Sequence, residues 1–317
     1  MKALLAALAL IFAAPALSAD PTHMTPTLSE GRVIAWPALD GGAAGPMTVW
    51  VWLPPGYDQA KGLRFPVLYM HDGQNLFDKA LTAYNQEWQI DEAIPRMVRQ
   101  GDLRSWIVVG VQSPKARYRA LFPQKIFPLL PSDFQKRVLD IDIGEPKTEL
   151  AGDAYLKFMV ETVKPRVDRQ FRTRKGPEDT AVMGSSMGGL MAFYAMAEYP
   201  QVFGQAAAVS MHVGLAMSSE KGLDHDKVAK DAAEAFRRYL LTSKMKPGPN
   251  RLYIDHGTGT RDGSYGPYSA ALVPVLEAAG WKGAHFMFRT YAGAEHNETA
   301  WAQRVDIPLA FLDRRDP

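Results

Sequence analysis

Residues 179–199 read DTAVMGSSMGGLMAFYAMAEY. The run through Met183 is short and continuously apolar, the pattern of a strand buried on both faces of a parallel sheet. Gly184-Ser185-Ser186-Met187-Gly188 matches G-x-S-x-G. In that pattern the serine occupies a sharp strand-to-helix turn, and side chains at the glycine positions would crowd it. The stretch LMAFYAMAEY that follows is apolar and helical in character. Strand, elbow and helix in this order predict that the Ser186 hydroxyl stands at the carboxyl edge of the sheet, where ligands bind in open α/β folds.

Working outward, the same alternation recurs. Strands are predicted at 31–37, 47–53, 66–71, 106–112, 179–184, 205–210, 251–256 and 285–291, and helices at 88–100, 152–170, 186–199, 226–242, 266–280 and 299–313. The first two strands follow each other with little between them. From residue 66 the order becomes strand–helix–strand, which predicts a mostly parallel central sheet of about eight strands with helices on both faces, an α/β-hydrolase architecture. Residues 113–150 break the pattern. They carry Pro114, Pro123, Pro128, Pro131 and Pro146 without sustained periodicity, and are read as a cap or loop insertion beside the site within a single domain spanning 31–317.

A serine hydroxyl is a weak nucleophile at neutral pH and needs a base within hydrogen-bond reach. Among the seven histidines, His296 alone lies in a loop after the last strand and before the final helix, which is where the base comes in the chain order Ser…Asp/Glu…His. The acid is expected in the loop after the preceding strand, DHGTGTRDGSYG. Asp262 lies in that loop proper, whereas Asp255 still belongs to the strand. An oxyanion formed on Ser186 needs preorganised N–H donors. The Met187 amide is one, and the Gln74 amide, in the turn HDGQNLFD after the 66–71 strand, is the other. Trp88, His212 and Trp301 are candidate pocket-lining residues. No H-E-x-x-H or comparable ligand spacing joins His71, Asp72, Asp255, His256 and His296, so neither a metal nor another cofactor is expected.

These stretches resemble the putative-esterase family of α/β hydrolases, which includes enterochelin, feruloyl and acetylxylan esterases, S-formylglutathione hydrolases and mycolyltransferases. The resemblance rests on PVLYMHDGQNLFD, Glu87-Trp88, IVVGVQ, AVMGSSMGGL, LYIDHGTGTRD and AEHNETAW, and so runs from about residue 45 to the C-terminus. It implies Ser186 as nucleophile, Asp262 as acid, His296 as base, and an oxyanion hole at Gln74 and Met187. The 113–150 segment departs from it. The expected reaction is hydrolysis of a carboxylic ester of a siderophore, sugar or small alcohol through an acyl-enzyme. An acyltransferase with the same triad, and a noncatalytic ligand-binding protein of the same fold, are the alternatives.

Composition narrows the class further. Formal charges nearly cancel at +2 across 317 residues, and no Lys/Arg run suited to phosphate backbones occurs, which argues against nucleic acid as a partner. The absence of cysteine excludes a thiol nucleophile and any disulfide. Lys2, the apolar run 3–17 and the small residues Ser18-Ala19 read as a cleavable signal peptide over 1–19, followed by a loose leader over 20–30. That run is shorter than the about 20 apolar residues of a membrane span. The expectation is a periplasmic or secreted protein with no stable membrane anchor, acting on a small-molecule ester.

Overall fold

The computed structural model describes residues 25–216 and 223–313. The expected signal peptide and the leader up to residue 24 lie outside the described residues. Within the rest of the leader, the Thr27 amide donates to Asp78 (2.8 Å) and the Ser29 amide to Asp91 (2.7 Å).

Eight strands form one sheet in the order β1-β2-β4-β3-β5-β6-β7-β8. β1 (Arg32–Leu39) and β2 (Met47–Leu53) pair antiparallel, with Trp36 opposite Val49. β2 pairs antiparallel with β4 (Ile107–Val111). The remaining pairs are parallel: β3 (Val67–His71) lies between β4 and β5 (Thr180–Ser185), followed by β6 (Gln205–Val209), β7 (Arg251–Gly257) and β8 (Phe286–Tyr291). The chain leaves β3 toward β4 but leaves β5 toward β6. The two connections diverge, and the crevice between them is the topological switch point where open α/β sheets bind ligands.

The helices are α1 (Ile90–Gln100), α2 (Arg117–Ala120), α3 (Ser132–Asp140), α4 (Gly152–Lys157), α5 (Lys164–Gln170), α6 (Met187–Glu198), α7 (His225–Leu240), α8 (Gly266–Ala278), α9 (Glu298–Ala302) and α10 (Asp306–Leu312). Side chains on a strand alternate between faces, and the core divides accordingly. Leu68 and Met70 join α1 and α10 residues such as Ile94 and Leu309 on one side. Val67 and Tyr69 join α6 and α7 residues such as Phe193 and Phe236 on the other.

All eight strands and the framework helices occupy the places the sequence predicts. The helix expected over 299–313 is two, α9 and α10, because Pro308 lacks the N–H that would bond back to residue 304. The proline-rich segment contains α2 and α3, and α3 buries Phe134 and Val138 one turn apart.

Candidate active site

The elbow after β5 is the strained point from which the site is built. Ser186 has φ 57° and ψ −121°, a region that L-residues adopt only when the surroundings enforce it. Two glycines of the motif let it close. A Cβ on Gly184 would lie 2.7 Å from the Gly188 backbone, and one on Gly188 would lie 2.9 Å from Asp72 Oδ2. The Ser186 amide donates to Val209 O (3.0 Å), and its carbonyl accepts from the amides of Leu190 and His212 (3.0 and 3.2 Å).

Asp262 and His296 meet, although 34 residues separate them in the chain. His296 Nδ1 lies 2.6 Å from Asp262 Oδ1. The other oxygen, Oδ2, accepts from the Ser210 hydroxyl (2.5 Å) and the Gly257 amide (2.7 Å). Burial opposes the Asp262 carboxylate, but the hydrogen bond and charge of His296 and the donors from Ser210 and Gly257 outweigh it, so its pKa falls below the ordinary value. Burial also lowers the His296 pKa, with Asp262 opposing and Arg261 and Arg117 adding to the fall. The imidazole is therefore neutral at neutral pH, the state a general base requires.

Behind Asp262 is a filled network. Ser210 Oγ accepts from Trp301 Nε1 and Arg304 Nη2, both at 2.9 Å. Arg304 grips Asp255 through Nε and Nη2, each at 3.1 Å, and Asp255 also accepts from Tyr253 and the Ser210 amide. Asp255 is thus the ion-pair partner of Arg304, and Asp262 is the carboxylate at the imidazole.

Tyr265 stands between two histidines of the site. Its phenol lies 2.9 Å from His212 Nδ1. Its ring meets His296 edge-on, with centroids 5.6 Å apart. Burial lowers the His212 pKa to about 3, so this ring too is neutral.

Met187 opens α6, so its amide has no acceptor within the helix and faces outward with the positive end of the helix dipole. Across the switch point, the Gln74 side chain is fixed at both ends by Ser113, with Nε2 to Oγ at 2.9 Å and Oε1 from N at 3.1 Å, which holds the turn carrying the Gln74 amide. Beside it Asp72 takes a bidentate bond from Arg117 (2.6 and 2.7 Å) and a further bond from Ser113.

A cavity of about 990 Å³ opens onto Ser186, Met187 and His212, with α3 and residues 141–143 forming its far wall. Of the three residues expected to line it, only His212 does. Trp88 and Trp301 are buried and stacked on one another (5.5 Å), and Trp301 supports the edge of His296 (5.1 Å). Their large apolar rings belong to the core beneath His296. Three of the other histidines have local partners, His71 with Tyr155, His225 with Tyr268, and His256 with the Gly257 carbonyl, and His285 lies at the opposite edge of the sheet, just before β8. No group of three or more His, Cys, Asp or Glu side chains suited to a metal ion occurs among the described residues.

Ser210, Tyr265 and Arg304 escaped the sequence reading. Ser210 could have been found: it ends the AAAVS run at the carboxyl edge of β6, as Ser186 does at β5.

An eight-stranded, mostly parallel sheet with a serine elbow at its switch point defines an α/β hydrolase. The chain belongs to the family described as "Putative esterase", whose model matches residues 43–306, and it is a carboxylic ester hydrolase. It is 22% identical over 217 residues to the uncharacterized protein YbbA of Bacillus subtilis (strain 168), covering 68% of this chain and 69% of that one. Solved structures share the fold. A ferulic acid esterase matches with a TM-score of 0.59 at 16% identity, covering 90% of this chain and 99% of that one. The enterobactin esterase FES from Shigella flexneri gives 0.58 at 15% identity, covering 91% and 60%. An IroE-like serine hydrolase from Shewanella oneidensis gives 0.59 at 18% identity, covering 89% and 79%.

Proposed function

We propose that the protein hydrolyses its ester by a Ser186–His296–Asp262 triad through an acyl-enzyme. The observation that carries this reading is the 2.6 Å contact between His296 Nδ1 and Asp262, made beside a cavity lined by the strained Ser186. Asp262 fixes the tautomer that leaves Nε2 free to take the Ser186 proton as its oxygen attacks the carbonyl carbon. The carbonyl oxygen becomes an oxyanion held by the Met187 and Gln74 amides. His296 returns the proton to the departing alcohol, and water releases the acyl group by the same steps. An ester of a siderophore, sugar or small alcohol is the substrate range proposed, which the enterobactin and ferulic acid esterases among the fold neighbours support. Export to the periplasm or medium, through residues 1–19, is part of the proposal.

The test is a panel of 4-nitrophenyl, feruloyl and catecholate esters on the wild type and Ser186→Ala. A loss of about 10³-fold or more in kcat on the best ester is expected, with fluorophosphonate labelling abolished. Retention of most activity by the variant would remove Ser186 from the mechanism.

A further inference from the structure

Among the described residues, the charges around the cavity do not all pair off. Three acids of these residues line it, and each faces a cation. Asp140 is bound by Lys136, Asp142 faces Lys147 at 3.9 Å, and Asp133 lies between Arg137 at 3.5 Å and Lys227 at 3.9 Å. The cations are less evenly matched. Arg117 is taken by Asp72 and Lys136 by Asp140. Arg137 uses only one nitrogen on Asp133, and its buried Nε and Nη2 have no acceptor among the described residues. Arg261 is exposed, lines the cavity, and has no acidic partner among the described residues. It directly precedes the triad acid, and its positive charge is felt at both His212 and His296.

We infer that the ester this enzyme cleaves carries a carboxylate, and that Arg261 receives it at the rim of the cavity while Arg137 adds a second positive charge from α3 on the facing wall. A guanidinium offers a planar fork of donors that matches a carboxylate, and such charge-assisted pairs are the stronger class of hydrogen bond. A neutral ester would leave that fork to solvent. Ser186 and Arg261 line the same cavity, so the carboxylate can belong to the acyl or to the leaving-group part, and matched substrate pairs tell the two apart. The inference rests on the esterase reading and deepens it to a substrate class.

Two matched pairs test it. Mono(4-nitrophenyl) glutarate against 4-nitrophenyl valerate places the charge on the acyl side. 4-Acetoxybenzoate against 4-acetoxybenzamide places it on the leaving group. The wild type is expected to favour the anionic member of at least one pair by roughly tenfold or more in kcat/KM, the scale of one charge-assisted bond. Arg261→Gln should collapse that ratio toward unity, and Arg261→Lys should restore part of it. Equal turnover within both pairs, or a ratio that Arg261→Gln leaves unchanged, overturns the inference. If no ester is turned over, the esterase reading fails, and binding decides this one separately. Thermal shifts of Ser186→Ala with monomethyl glutarate and with methyl valerate should favour the anion, and adding Arg261→Gln should erase the difference. No preference for the anion there overturns the inference as well.

Discussion

The two walls of the cavity are built in different ways. On one side, the loops after β6, β7 and β8, with Arg304 from the turn between α9 and α10, bring Ser210, Asp262, His296 and Arg304 into a buried network, where Asp262 has a donor on each oxygen and Arg304 holds Asp255 with two nitrogens. On the other side, residues 117–143 are rooted by Arg117 on Asp72 and by buried Phe122 and Phe134. Their outer part is charged and exposed, with Leu139 and Ile143 open to solvent at 43% and 52%. Under the proposed mechanism the first wall places atoms to within a fraction of an ångström for proton transfer. The second needs only to present charge and shape to a ligand. One fold can therefore hold its chemistry fixed while the segment facing the substrate varies.

The sharpest way to break this comparison is Asp262→Asn. The side chain keeps its size and its place, but the hydrogen bond that sets the imidazole tautomer is lost. If the proposed triad operates, a fall of about 10³-fold or more in kcat is expected, the scale for triads that lose this carboxylate. Circular dichroism should show the fold retained. A loss smaller than tenfold would mean that the filled wall does not govern the rate.

The next prediction compares ion pairs across the cavity. Arg304→Met leaves Asp255 buried without its cation, and removing one partner of a buried pair costs about 3–5 kcal/mol. That should appear as a large drop in the urea midpoint, recovered in part by adding Asp255→Asn. Lys136→Ala breaks the exposed pair with Asp140 on the other wall, where both side chains are more than half open to solvent. Surface pairs contribute little, so the midpoint should stay within the error of the same measurement. Equal losses at the two sites would show that the walls do not differ in the way their burial indicates.

The walls also differ in how far the sequence reveals them. The sheet was legible because each strand is a compact apolar run, and the serine was legible because G-x-S-x-G falls between one such run and a helix. Asp262 and His296 followed from their places in loops at the same edge. What lay behind them did not. Ser210 and Arg304 act through contacts 94 residues apart in the chain, and no local pattern records such a meeting. Trp88 and Trp301 show the converse: their composition suits a pocket wall, but packing under His296 puts them in the core. In α3 the spacing of Phe134 and Val138 is helical, yet a helix of nine residues directly after Pro131 gives too short a period to read.

The smallest effect concerns burial without partners. Asp262 and Asp91 are each 1% exposed, yet their pKa values move in opposite directions. Asp91 accepts from the Ser29 amide, while its Oδ1 is buried with no partner among the described residues. Burial, reinforced by Glu92 and Glu87, pushes its pKa up to about 6 against the hydrogen bonds that oppose it. An acid whose pKa is higher in the folded state favours folding when protonated, and the penalty grows as pH rises from about 4 to about 6 and is constant above that. Asp91→Asn removes the charge and keeps an oxygen for Ser29. It should stabilise the protein by on the order of 1–3 kcal/mol at pH 7.5, a rise of a few degrees in Tm. The gain should shrink as the pH is lowered from 6 to 4. A destabilised variant at pH 7.5, or a gain independent of pH, would show that the Asp91 carboxylate is held as firmly as that of Asp262 and that burial alone does not separate them.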